Sequence, residues 1–154
     1  MKSGRFEIFD HGSISFSRNF EPFLDKLVQN QTAFCAQLPP ATRSTYAISF
    51  SADRKYAAAS TGDHNIHIIQ VNDGKLIKTL SGHTRTCWSV VFHPTNPNLL
   101  ASGDLSAEVR VWDISDPNNG YESWQHEVNG SNPHSKISIS LTFHPFDNVL
   151  LIGE

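Results

Sequence analysis

The sequence predicts an all-β chain assembled from a repeated unit of short strands, with one helix ahead of it. Three observations carry that prediction. From Thr45 onward, short β-branched and apolar runs alternate with Gly, Asp, Asn and Pro, the texture of strands joined by tight turns. The runs also repeat: Phe50-Ser51-Ala52-Asp53 aligns with Phe92-His93-Pro94-Thr95 and with Phe143-His144-Pro145-Phe146, at steps of 42 and 51 residues. A period of about 42 residues holding four strands is that of a β-propeller blade. The chain is therefore expected to hold two blades and part of a third over 45–154, behind an arm (1–19) and a helix with its linker (20–44).

Composition permits this fold and removes several functions. Leu, Ile, Val and Phe make up about a quarter of the 154 residues, enough apolar material to bury a core. With 12 Lys+Arg against 15 Asp+Glu and a net charge of -3, the chain has no basic block to hold nucleic acid or an anionic bilayer. No apolar run reaches the length of a membrane span, and the first residues lack a signal-peptide core. A soluble, cytoplasmic protein with free thiols at Cys35 and Cys87 is expected, and no cofactor.

Residues 1–19 show no sustained period and read as an arm or at most a short strand. Asn19 can cap a helix over 21–30, in which Phe20, Phe23, Leu24, Leu27 and Val28 form one apolar stripe. Pro22 falls in its first turn, and Glu21 and Asp25 complement the dipole. Pro39-Pro40 ends regular structure. Strands are expected at 45–50, 56–60, 66–71, 76–80, 88–92, 99–102, 108–113 and 139–143. Ala57-Ala58-Ala59-Ser60 aligns with Leu99-Leu100-Ala101-Ser102, and Asn65-Ile66-His67-Ile68-Ile69 with Glu108-Val109-Arg110-Val111-Trp112. The offset grows from 42 to 43 between these blocks, which assigns the length difference to the turn at Gly62-Asp63. Asp116 to Lys136, with Pro117-Asn118-Asn119-Gly120 and Gly130-Ser131-Asn132-Pro133, reads as a surface loop, within which Tyr121 and Trp124 can meet a peptide. Trp88, at a strand start, is expected in the inter-blade core.

Gly82-His83, Ser102 and Trp112-Asp113 stand in the order and spacing of a WD repeat. The chemistry behind that spacing is a buried hydrogen-bond chain, in which a loop His, a strand hydroxyl and a turn Asp lead to the indole N–H and tie the inner strands of a blade together. His83, Ser102 and Trp112 occupy their places, but Ser106 stands where the repeat has its acid. An incomplete network, ending on a weaker hydroxyl and improved by Ser106→Asp, is the expectation. The first repeat keeps Asp63 and has Ile69-Gln70 in place of Trp-Asp.

A narrower resemblance rests on Arg43-Ser44-Thr45, Asn65-Ile66, Leu80-Ser81-Gly82-His83-Thr84-Arg85-Thr86, Phe92-His93-Pro94, Gly103-Asp104-Leu105, Glu108-Val109-Arg110-Val111-Trp112-Asp113 and Tyr121-Glu122-Ser123-Trp124. Together with the stripe Phe23-Leu24-Asp25-Lys26-Leu27-Val28, these residues resemble the amino-terminal part of the Ambra family, the activating molecule in Beclin-regulated autophagy. The resemblance implies a scaffold in autophagosome formation and mitophagy. It also implies a receptor that docks on the damaged-DNA-binding adaptor of the cullin-4 RING ubiquitin ligase and presents substrates such as D-type cyclins. In that family the propeller is completed by a distant segment, and autophagy partners bind largely outside this region. The helix face Phe23, Leu24, Leu27 and Val28 would then enter a groove of the adaptor; the alternative is packing on the propeller flank. Ser115 replaces the Arg that many such receptors carry after Trp-Asp.

Catalysis has no foothold in the sequence. It contains no nucleophile elbow, phosphate loop or His-Glu-x-x-His helix. His64 and His67, three apart on a strand, point to opposite faces and do not suit one metal ion. His93 and His144 precede prolines and are expected to shape turns. Arg85, Trp88 and Arg110 are candidates for a substrate-facing surface. The expected function is a non-catalytic adaptor, the alternative a propeller scaffold without a ubiquitin role.

Overall fold

A computed structural model describes residues 6–8, 34–36, 38–125 and 140–153. Two four-stranded antiparallel sheets dominate it. The first, blade 1, comprises β3 (Thr45–Phe50), β4 (Tyr56–Thr61), β5 (Ile66–Gln70) and β6 (Leu76–Leu80), paired in that order. The second, blade 2, comprises β7 (Cys87–Phe92), β8 (Leu99–Asp104), β9 (Glu108–Asp113) and β10 (Tyr121–Gln125), again in chain order. Blade 3 contributes β11 (Ser140–Phe143) and β12 (Leu150–Gly153), and β1 (Phe6–Ile8) pairs with β2 (Phe34–Ala36). The helix proposed over 21–30 lies outside the described residues, as do its face residues Phe23, Leu24, Leu27 and Val28.

Each blade is a chain of hairpins because each turn has its own chemistry. Where a blade's first strand ends, the side chain after the Phe caps the turn: the Ser51 hydroxyl accepts from Tyr56 N (3.0 Å) and donates to Asp53 (2.7 Å). At the equivalent place His93 Nδ1 accepts from Thr95 N and Asn96 N, and His144 Nδ1 from Phe146 N and Asp147 N. The β4–β5 and β8–β9 turns each place a residue in the left-handed region, His64 at φ 66° and Ala107 at φ 66°.

The pairing register corrects the alignment of the two blades. Ile48 pairs with Ala59 and Ala59 with His67, whereas Val90 pairs with Ser102 and Ser102 with Arg110. Ser102 thus corresponds to Ala59, not Ser60. The extra residue sits in the β7–β8 turn, 93–98 against 51–55 in blade 1, and not at Gly62-Asp63. A second correction concerns Asp116 to Lys136. Its Pro-Asn-Asn-Gly start is a tight turn, and Tyr121–Gln125 returns as the fourth strand of blade 2, pairing Tyr121 with Trp112 and Trp124 with Val109.

The core lies between sheets. Ala58, Ile66, Ile68 and Leu80 of blade 1 meet Val90, Phe92, Leu100 and Trp112 of blade 2, with Cys87 among them. Ala101, Val109 and Ala107 meet Leu141 and Phe143 of blade 3. On the other face of blade 1, Ala57, Ala59 and Ile69 take Ala36 and Leu38. Polar clamps fix the blade angle: Phe92 N donates to Ser49 Oγ (3.0 Å), and Lys78 Nζ reaches across to the carbonyls of Ile114 (2.9 Å) and Asp116 (2.5 Å). Leu100 is fully buried in the shared core; Leu100→Ala should lower unfolding free energy by about 2 to 5 kcal/mol in a denaturant titration, through cavity formation.

Candidate functional site: a buried network and the surface it supports

The network begins at Trp112, which is 0% exposed on β9. Its Nε1 donates to Ser102 Oγ on β8 at 2.8 Å. An indole can only donate, so the serine proton is free to go to His83 Nε2, 2.7 Å away. The ring proton of His83 then sits at Nδ1, which lies 3.3 Å from Asp104 Oδ2 and 3.6 Å from Glu108 Oε2, close ion-pair contacts without the alignment of a hydrogen bond. Two strands, β8 and β9, and the loop entering β7 are joined in one chain of polar contacts.

The acid of this chain is Asp104, two residues before the position where the sequence pattern seeks it. The expectation of an incomplete network is corrected accordingly. Asp104 is 1% exposed at the end of β8. Its Oδ1 accepts from Ser106 N (2.8 Å), Ser106 Oγ (2.6 Å) and Glu108 N (3.2 Å), and its Oδ2 from Arg85 N (3.2 Å). Ser106 is therefore a donor that steadies the acid, not a substitute for it. Burial pushes the Asp104 carboxyl up, but the His83 ring, the Ser106 hydroxyl and the two turn amides outweigh it and hold it well below the usual carboxylate range.

Arg110 extends the network to the fourth strand. Its Nε donates to Glu108 Oε1 (2.7 Å) and one terminal nitrogen to Gly82 O (2.9 Å). The guanidinium lies 4.3 Å from the Tyr121 ring centre and 5.5 Å from that of Trp112. Gly82 has φ 130°, and a Cβ there would fall 2.5 Å from Arg110 Nη1, so the Gly of Gly-His is needed both for its backbone and for the arginine's space. Arg110, 5% exposed, is a packing residue and not part of a substrate-facing surface. Ligand atoms of His83, Asp104 and Glu108 lie within 4.8 Å of one another, a spacing a cation could use. Protein donors already surround both carboxylates, so the cluster is compensated from within.

Blade 1 solves the same problem differently. Ala59 and Ile69 replace Ser102 and Trp112, which removes the relay. The turn pair is exchanged: Thr61 and Asp63 stand where blade 2 has Asp104 and Ser106, and again hydroxyl donates to carboxylate. Asp63 also accepts from Asn65 Nδ2 (3.1 Å) and faces His67 Nε2 at 3.7 Å. His67 is 1% exposed, with Thr79 Oγ1 at 3.1 Å and Thr42 Oγ1 at 3.4 Å. Burial lowers its pKa and Asp63 recovers part of the shift. His64 points away, exposed, toward Thr86 Oγ1 at 3.4 Å.

Two further expectations change. Trp88 is 50% exposed and stacks on Tyr46 with ring centres 5.5 Å apart, outside the inter-blade core. Its bulge position turns it outward, a feature the local sequence does not mark. Tyr121 packs on Arg110 and Trp112, while Trp124 remains 49% exposed.

Blades of four antiparallel strands, locked by an indole-to-carboxylate relay, define a WD-repeat propeller segment. The family pattern described as WD domain, G-beta repeat matches residues 74–113, which hold the whole relay. Solved structures agree on the fold: a chain of the mitotic checkpoint complex superposes with TM-score 0.63 at 19% identity, over 80% of this chain and 34% of that one. U3-55K gives 0.55 at 19% identity, over 64% and 31%. Among sequences, the activating molecule in BECN1-regulated autophagy protein 1B of Danio rerio is 43% identical over 137 residues, 84% of this chain, and protein 1A of the same fish is 45% identical over 117 residues, 76% of this chain. The chain thus carries a WD repeat and, over most of its length, resembles these Ambra proteins. It spans 9% and 8% of the length of those two curated relatives.

Two stability results follow. Ser106→Asp sets a second carboxylate beside Asp104 and removes a donor, so it should lower the unfolding free energy by about 1 to 3 kcal/mol and shift thermal unfolding to lower temperature. Because the folded Asp104 carboxyl is depressed, its stabilisation is complete above the ordinary carboxylate range near pH 4 and fades as pH falls below it. Asp104→Asn should flatten that acid limb of a stability-against-pH profile.

Proposed function

We propose that this chain is part of a non-catalytic adaptor: a positive regulator of autophagosome assembly and mitophagy, and a substrate receptor of a cullin-4 RING ubiquitin ligase in the cytoplasm. The observation that carries the reading is the identity of 43% and 45%, over most of the chain, to two proteins named for BECN1-regulated autophagy. A non-catalytic role is supported by the chemistry. His83, Asp104 and Glu108, the concentrated acid and base groups of blade 2, face one another, turn amides and Arg110. The ligase role adds the damaged-DNA-binding adaptor as partner and D-type cyclins as cargo, with the stripe Phe23, Leu24, Leu27 and Val28 as the docking face. A propeller scaffold without a ubiquitin role is the second reading.

The test is a pull-down of purified adaptor by the full-length protein, comparing wild type with a Leu24→Asp, Leu27→Asp double variant whose fold is checked by circular dichroism. Wild-type capture that the variant loses supports the receptor reading. Capture by neither removes the ligase part and leaves the scaffold.

A further inference from the structure

Both blades tie the segment that enters them to the same position of the third strand, but with different chemistry. Ala59 pairs with His67 and Ser102 with Arg110, so His67 stands in blade 1 where blade 2 has its buried arginine. Arg110 reaches back to Gly82 O in the loop entering β7 (2.9 Å). His67 reaches back to Thr42 Oγ1 in the segment entering β3 (3.4 Å). A guanidinium keeps its charge at every accessible pH, whereas an imidazole gains or loses one near neutrality. Blade 1 thus carries a titratable tie where blade 2 carries a permanent one.

The surroundings of His67 suit one charge state. Its side chain is 1% exposed. Nε2 faces Asp63 Oδ2 at 3.7 Å as well as Thr42, and Nδ1 lies 3.1 Å from Thr79 Oγ1. A carboxylate only accepts, so the proton of the neutral ring sits on Nε2 and Nδ1 accepts from the Thr79 hydroxyl. A second proton would enter at Nδ1, against that hydroxyl, and would set a charge where water has no access. Asp63 is the charged group that faces the ring, and it is already bonded to Thr61 and Asn65. Among the described residues the other packed elements add no facing charge. β4 sets Ala59 opposite His67, and β6 sets Thr79 there, while Lys78 lies on the other face and reaches blade 2. Arg43, next to Thr42, is exposed beside Gly62. Thr79 and Asp63 are fixed by strand pairing and by the β4–β5 turn. Residues 38–44 have neither strand nor helix, and their polar ties to the sheet are Thr42 and the bond from Gly62 N to Ser44 O (2.9 Å). The entry segment is therefore the side that can move.

We infer that His67 is an acid-sensitive latch: its neutral ring seats the entry segment 38–44 on blade 1, and its protonation releases that segment while the blade stays folded. The direction follows from burial, which holds the pKa of the seated ring below its ordinary value, with Asp63 recovering part of the shift. Once released, the ring meets water and regains a value of about 6.5. A histidine depressed in the seated form stabilises that form fully above this value, and progressively less as pH falls below it. The latch is a regulation of the fold that the adaptor reading neither requires nor supplies.

Hydrogen–deuterium exchange on the full chain tests it, read by mass spectrometry over residues 38–50 and corrected for the pH dependence of intrinsic exchange. Protection of the amides over 41–44 should fall about tenfold or more between about pH 7.5 and 5, while the amides of β9 keep theirs. His67→Gln, which keeps polar atoms but cannot titrate, should make the response flat. His64→Asn, which removes the exposed neighbouring imidazole, should leave it as in wild type. An NMR titration of the His67 ring in wild type gives a reading independent of any variant: the ring must gain its proton over the pH range in which protection is lost. No loss of protection in wild type, an equal loss in His67→Gln or an equal loss in β9 overturns the latch. A response abolished by His64→Asn, or a His67 ring that titrates outside that range, overturns it too. Because the adaptor is absent from the assay, none of these outcomes bears on the pull-down.

Discussion

One hydroxyl group, that of Ser102, holds the second blade to its plan. It accepts from the Trp112 indole and meets His83 within 2.8 Å on either side, so β8, β9 and the loop entering β7 are fixed by a single atom with no access to water. A polar group at that depth is costly when unpaired, which makes the arrangement cooperative: each member is tolerable because the next one is present. The chain must end on something that can stay charged while buried. Asp104 does so because turn amides, the Ser106 hydroxyl and the Arg85 amide converge on it. The same carboxylate therefore closes the relay, shapes the β8–β9 turn and positions the segment that carries Arg85.

Blade 1 shows that the sheet does not require the relay when packing replaces it. Ala57, Ala58 and Ala59 are fully buried on β4, and their small side chains let β2 approach on one face and blade 2 on the other. Ile66, Ile68 and Ile69 supply the volume on β5. What survives of the polar plan is the turn pair, with acid and hydroxyl exchanged between Thr61-Asp63 and Asp104-Ser106. The acid follows its cation-capable partner: Asp63 faces His67 on its own blade's third strand, and Asp104 faces His83 in the entering loop.

Much of this was legible in the sequence because a repeat constrains its own reading. Phe50, Phe92 and Phe143 end the first strands of successive blades, and the expected strands from 45 to 113 agree with those observed to within two residues at any end. Three features were hidden. Tyr121–Gln125 was masked by the Pro-Asn-Asn-Gly turn before it, whose loop chemistry hides a strand with a polar Glu-Ser interior. Asp104 was hidden because linear spacing places the acid at 106, whereas a carboxylate on the strand end reaches the same imidazole from the other side of the turn. Trp88 was assigned to the core on hydrophobicity alone, and only the bulge, a property of pairing, turns it to the surface. The one-residue offset was visible, but register decides which turn holds it, and that also decides that Ala59, not Ser60, stands opposite Ser102.

The central claim is that Asp104, not the residue at 106, completes the relay through His83. A double-mutant cycle on unfolding free energy, with His83→Ala and Asp104→Ala singly and together, measures that coupling directly. The account predicts an interaction of about 1 kcal/mol or more for this pair, and a smaller one when Ser106→Ala replaces Asp104→Ala. Additive losses at 83 and 104, or a larger coupling between 83 and 106, would contradict it.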